Sequence, residues 1–399
     1  MNKNRRKKAT KASTNNNGGK KLNMKKVKLF IILPLLIIFI LLIRNGSTEK
    51  LNDKLRILYN NELVEYSKEP KIEGDKIYLS KDDVMNIFDK TIYYNSAEKE
   101  LITTYNKHIA LLKVDEEYMI LNDSTIKIES SLKDEDGEIY LPMNELKTVY
   151  DIELAYSNEN KTIMIDSTSK EKKTATLVKN TTLKEKDSIF SKGIEKLKEG
   201  SEIVVIEETP KHLKVRTDKG NIGYIKTKKA SEIKKIRDNY DEEKEDLNYL
   251  DKYSDVKKKY EDLSVDVKKY NVVSPKLYTL ENTSLVDKTS YEEVASYRAW
   301  AEANNLNVIP MLDLGGTVSK TIITYAQRNK VINELYVSLV NGGYRGVVIN
   351  FESIDDINSF YRFLIEITPK FKESGMKVIV KYNSNMDKDK LKEIVDYVV

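Results

Sequence analysis

The rhythm of apolar positions changes several times along the chain. Leu29 to Ile43 is an unbroken apolar run, interrupted in conformation only by Pro34 and closed by Arg44. Between about residues 72 and 166, short alternating stretches separated by Asn, Ser, Glu and Gly predict strands joined by tight turns. A second series of short alternations follows the polar stretch Ser167–Lys173. It comprises Thr174–Val178, EGSEIVVIEE from Glu199, HLKVRTDKG from His212 and IGYIK from Ile222, with a turn at Asp218-Lys219-Gly220. Ser231 to Tyr270 is densely charged, and Ile233, Ile236, Tyr240, Leu247 and Leu250 are spaced for a helix, so 231–268 reads as a solvated helical linker. From Asn271 the pattern becomes regular. Apolar runs at Asn271–Pro275, Asn307–Leu314, Gly346–Glu352 and Lys377–Tyr382 alternate with helical stretches at Ser290–Asn304, Ala326–Asn341 and Asp355–Ser374. Such alternation predicts a parallel sheet built by right-handed crossovers.

Charge sharpens this outline. Residues 1–28 hold eleven Lys/Arg and no acid, leaving 57 basic against 63 acidic residues in the rest. A basic tail before an apolar run predicts a cytoplasmic segment at 1–28 and an uncleaved transmembrane signal anchor at 29–43. The competing reading, a cleaved signal peptide, lacks a small-x-small site around Arg44-Asn45-Gly46-Ser47. Everything after the anchor is then expected outside the cell membrane. The mildly acidic body argues against nucleic acid as a partner. There is no cysteine, and the two histidines, His108 and His212, fall in different segments. Neither a metal site nor a Ser/His/Asp triad is expected, and no cofactor is called for. The sequence sets no oligomeric state.

An internal repeat organises the first extracytoplasmic region. IYLSKDDVMNIFDKTIYYNSAEKELI from Ile77 realigns on IYLPMNELKTVYDIELAYSNENKTIM from Ile139 at a constant offset of 62. Tyr78 matches Tyr140, Phe88 matches Tyr150 and Tyr94 matches Tyr156. Each copy reads as a strand, a helical turn and two further strands. This pattern resembles the copper amine oxidase N-terminal domain, a stalk-type module of Gram-positive cell-surface proteins. The resemblance implies a spacer or wall-contacting role for residues 50–167 and no copper chemistry. Residues 172–230 resemble bacterial SH3-like domains. That implies a small β-barrel, either structural or wall-binding, although His212-Leu213 stand where an aromatic residue is common.

GVVINFE, from Gly346 to Glu352, carries the candidate chemistry. Alternation places Val348, Asn350 and Glu352 on one face of a strand and Val347, Ile349 and Phe351 on the other. With its flanks the segment resembles the D-x-x-D-x-D-x-E signature of glycoside hydrolase family 18. Arg345, Val348 and Asn350 stand at the three Asp positions, and Glu352 stands at the Glu. The NVVSP start and the helices on either side of the motif resemble the spore-cortex and cell-wall branch of that family.

The resemblance implies a TIM (β/α)8-type barrel over 269–399, of which about five strands are visible. The final IVDYVV reads as the start of a sixth strand, so the chain is expected to be a fragment. It also implies substrate-assisted, retaining hydrolysis of β-1,4 bonds at N-acetylglucosamine. Glu352 would be the general acid, helped by apolar surroundings that raise its pKa. Asn350 would accept the acetamido N–H without supplying charge. Asp313, Val348 and Tyr382 complete the expected sugar-contacting set, with a helix N-cap as the plainer role for Asp313.

The predicted architecture is therefore multidomain. It comprises a transmembrane helix, an α+β repeat domain, a small SH3-like barrel, a helical linker and an incomplete barrel. Two functions stand side by side: a membrane-anchored glycosidase acting on peptidoglycan or a chitin-like polymer, and a non-catalytic binder of cell-wall glycan.

Overall fold

A computed structural model of the chain describes residues 54–240, 245–257, 266–281, 283–314 and 322–399. They are rich in β-structure, with five α-helices among them. No helix among the described residues is long and apolar enough to cross a membrane. The span expected at 29–43 lies outside these residues, and a fold that begins with a transmembrane helix is not supported.

The repeat is visible as an approximate two-fold. The hairpin Lys71–Glu73/Lys76–Ser80 pairs edge to edge with Lys133–Glu135/Glu138–Pro142, through Leu79 opposite Leu141. Equivalent residues make reciprocal contacts across the axis. Lys71 lies over the Tyr140 ring at 4.0 Å and Lys133 over the Tyr78 ring at 4.4 Å. Lys71 pairs with Glu135 as Lys133 pairs with Glu73. Two halves that supply each other's sheet edge cannot be separated without opening both. The helical turn is kept in one copy only. Ser80 caps Lys81–Ile87 through a side-chain bond to the Asp83 N–H, whereas the second copy passes through turns. A five-stranded meander, from Tyr93–Asn95 to Ser124–Lys127, joins the halves.

Residues 172–237 form an open, seven-stranded antiparallel sheet in place of the expected small barrel. The helical linker is also corrected. Lys234–Arg237 is a strand paired with Lys172–Thr176, and Tyr249–Leu250 is a strand that opens the C-terminal sheet. Both have partners distant in sequence, and strand pairing overrides the weak helical spacing.

The C-terminal unit is a run of parallel strands laid down in chain order. β1 (Tyr249–Leu250) pairs with β2 (Val272–Val273), which continues after Pro275 as β3 (Lys276–Glu281). β4 (Ser284–Asp287) folds back on β3 as a hairpin. β5 (Asn307–Val308) and β6 (Met311–Leu314) form the next position, followed by β7 (Gly346–Phe351), β8 (Lys377–Val380) and β9 (Tyr397–Val398). The described strands make two adjoining open sheets rather than a closed barrel.

The crossovers are α1 (Tyr291–Ala303), α2 (Tyr325–Asn341), α3 (Ile357–Glu373) and α4 (Lys388–Ile394). α1 and α2 begin with full capping boxes, Ser290 with Glu293 and Thr324 with Gln327, which fixes where each crossover starts. Gly346 opens β7 because a Cβ there would stand 2.4 Å from the Lys377 carbonyl oxygen. Only glycine lets the two strands approach at that point.

α3 is buried almost all round, unlike an ordinary crossover helix. One side packs on the sheet. The other is covered by the repeat domain, where Arg362 Nη1 donates to the Thr91 carbonyl at 2.5 Å and Lys370 pairs with Asp123. At its centre Glu366 accepts Arg328 Nε and Nη2 at 2.7 and 2.8 Å, and Arg362 Nε at 2.9 Å.

Candidate active site

β7 is buried along its whole length, and its two faces differ as the alternation predicts. Val347, Ile349 and Phe351 enter the large core shared with the helices, where Phe351 meets Phe360 edge-on at 4.3 Å between ring centres. Val348 enters a smaller cluster on the opposite face with Val272, Ile309, Met311 and Ile379. That apolar floor extends to Tyr249 and Tyr397. Burial pushes the Tyr249 phenol up, with Asp251 adding to the shift, so it stays protonated.

Polar groups stand one step above this floor, at the C-terminal ends of the strands. Asp313 is in register with Asn350 on the neighbouring strand. Asn350 is buried, and its Nδ2 donates to Asp313 Oδ1 at 2.5 Å. A carboxylate only accepts, so the amide nitrogen must face Asp313, which leaves the amide oxygen turned away from it. The other Asp313 oxygen lies 2.8 Å from Lys276 Nζ. The row Lys276–Asp313–Asn350 thus spans three adjacent strand positions. Lys381, just past β8, pairs at 2.7 Å with Asp251, just past β1.

Glu352 is the first residue beyond β7. Its N–H reaches the Leu314 carbonyl at 3.3 Å, which carries the strand pairing one residue further. Its side chain is exposed and makes no hydrogen bond or ion pair among the described residues, so apolar groups do not enclose it. The Asn383 side chain donates to the Phe351 carbonyl at 2.9 Å and secures the backbone immediately before Glu352.

Of the five residues singled out in the sequence, the structure brings Asn350 and Asp313 into contact and places Glu352 two residues further on, just past β7. Val348 lies below them in the apolar floor. Tyr382 stands apart, 40% exposed, with Lys388 over its ring at 5.5 Å. The Asp313 carboxylate is engaged by Lys276 and Asn350, and the next helix among the described residues, α2, is capped by Thr324. Lys276 escaped notice in the sequence. Its only signal was its place directly after the NVVSP run, at the start of β3.

Residues 58–165 match the family model described as the copper amine oxidase N-terminal domain. No curated protein matches the chain. Among solved structures, a chitinase from Bacteroides thetaiotaomicron is 15% identical, over 38% of this chain and 51% of its own, with a TM-score of 0.32. The spore cortex-lytic enzyme SleL of Bacillus megaterium is 13% identical, over 33% of this chain and 35% of its own, with a TM-score of 0.28. A chitinase from Chromobacterium violaceum is 14% identical, over 32% and 47%, with a TM-score of 0.27. The chain spans about half or less of each of these structures.

Proposed function

We propose that the C-terminal unit acts on N-acetylglucosamine-containing glycan, as a glycosidase that cleaves β-1,4 bonds with the substrate's own acetamido group as nucleophile. The observation that carries this reading is the hydrogen bond from Asn350 to Asp313 beside Glu352, at the ends of parallel strands where such sheets place their chemistry. Glu352, exposed at the strand end, can deliver a proton to the glycosidic oxygen. The acetamido carbonyl then attacks the anomeric carbon, the leaving sugar departs with that proton, and water later opens the oxazolinium ring. Asn350 presents its amide oxygen to the acetamido N–H, and Asp313 fixes that orientation by occupying the amide nitrogen. Asp313 also brings one negative charge within a residue's width of the ring, although Lys276 offsets part of it. A wall glycan substrate would place this work outside the cytoplasm.

Glu352→Gln should abolish release of reducing ends from wall glycan while leaving glycan binding nearly unchanged. Asn350→Asp puts a second carboxylate beside Asp313, and the pair would share one proton; with that proton on Asp313, the negative charge moves next to the oxazolinium. A neutral hydrogen bond in place of a charged one forfeits ~1–2 kcal/mol, so this variant should turn over roughly tenfold faster. The other reading, a binder without turnover, draws on the Lys276 pairing, which neutralises the carboxylate beside Asn350. Binding without reducing-end release in both the parent and Asn350→Asp would decide for that reading.

A further inference from the structure

A cavity of about 670 Å³ opens between the repeat domain and the outer side of the C-terminal unit, away from the Glu352 strand end. One wall is the loop after the capped helix of the repeat domain, including Phe88 and Lys90, with the hairpin at Tyr105. The other wall is α3 and α4 with Tyr361 and Lys390. Six cationic side chains line it against three acidic ones. Two of the three acids are already engaged. Asp89 is buried and accepts from the backbone and hydroxyls of Thr91, Thr103 and Thr104. Asp396 accepts the Val378 N–H at 2.8 Å and lies 3.7 Å from Lys377. Three of the cations are engaged as well, Arg362 by Glu366, Lys377 by Asp396 and Lys392 by Asp389, so the positive excess that faces the cavity rests in part on Lys90 and Lys390.

Two lysines on opposite walls stand out. Lys90 is exposed and has no ion pair among the described residues. Lys390 is exposed and lies 4.2 Å over the Tyr361 ring, with no acid bonded to its ammonium among the described residues. Aromatic rings between cations suit a ligand that combines apolar sugar or polyol faces with regularly placed negative charge. The volume lies within the range of pockets that hold small ligands, enough for two or three such units.

We infer that this cleft is a second carbohydrate site, one that holds an anionic polyol or sugar chain between Lys90 and Lys390. The anionic group is a phosphodiester or a carboxylate, since both meet an ammonium equally well. The site is independent of glycan cleavage at Glu352, because the two share no residue.

The test titrates the full chain with a short poly(glycerol phosphate), an oligogalacturonate of equal charge and a neutral chitooligosaccharide, at two ionic strengths. At least one anionic oligomer should bind, more weakly at the higher salt concentration. Binding of only one of them names the source of the charge. Lys90→Glu with Lys390→Glu should lower that affinity tenfold or more and leave chitooligosaccharide binding unchanged. Lys90→Arg with Lys390→Arg should retain the affinity, which separates lost charge from lost folding. Absence of binding by both anionic oligomers, an unchanged affinity after double charge reversal, or an equal loss in the arginine pair would each overturn the assignment.

Discussion

The two faces of the C-terminal sheet are built on opposite terms. The helix-facing side is dry and continuous, with Val347, Ile349 and Phe351 packed among Phe360, Phe363 and Phe371. The opposite side has only a thin apolar floor around Val348, and directly above it stand Lys276, Asp313 and Asn350. A strand that alternates between them must satisfy both, so each β7 residue is committed to one task by its parity. The comparison teaches that rigidity and chemistry are divided here by face rather than by segment. The dry face holds the strand still, and the other can then keep a buried amide and a carboxylate in fixed contact.

The contrast can be broken hardest from the dry side. Phe363→Ala removes a fully buried ring from α3 and should cost about 3–5 kcal/mol, read from the urea midpoint. Glycan binding in the surviving folded fraction should be unchanged, because Phe363 lies on the far side of the sheet. A specific loss of binding would show that the faces are coupled.

On the polar side the effect should be smaller in stability and larger in binding. Asp313→Ala strands the buried Asn350 amide nitrogen and should cost about 1–3 kcal/mol. Asp313→Asn, whose amide oxygen still accepts, should recover most of that. Glycan affinity should fall in the alanine variant more than its stability alone explains, because Asn350 is then free to turn.

The smallest expected effect lies outside the sheet and sets its baseline. Burial alone would raise the Asp166 carboxyl. Two hydrogen bonds from Arg216, with the charges of Arg216, Lys172 and Arg237, outweigh it and hold the group below its ordinary value. A depressed carboxylate contributes stability above its unfolded value of roughly 4, and that stability is lost as pH falls through the lower folded value. Urea midpoints should therefore drop below about pH 4, and Asp166→Asn should flatten part of that fall. Glu153, held down in the same network by Lys172 and Arg237 against the opposing effect of burial, contributes to the slope that remains.

How much of this was legible in sequence depended on where each partner lay. The repeat was legible because Ile77, Leu79 and their counterparts Ile139 and Leu141 sit at a fixed offset and enter one shared core. The faces of β7 were legible because parity within one strand is local. The supposed linker was not. Lys234–Arg237 and Tyr249–Leu250 are strands only because Lys172–Thr176 and Val272–Val273 lie beside them, and two to four residues are too few to show a period. Asp313 could be suspected from its position before Gly315. Its bond to Asn350 needed the register between β6 and β7, and Lys276 needed β3 as well.

Helix α3, walled on both sides, bears on how this protein can be taken apart and recombined. A crossover helix with a wet outer surface can be inherited with its own sheet and attached to any upstream module. Here the outer surface holds Arg362 and Glu366, with Arg362 reaching into Thr91. Exchange of the upstream module would leave a guanidinium–carboxylate group facing a stranger. Grafts at the junction near residue 170 should therefore succeed only when donor and recipient are matched at Thr91 and Arg362, which meet although they stand 271 residues apart in the chain.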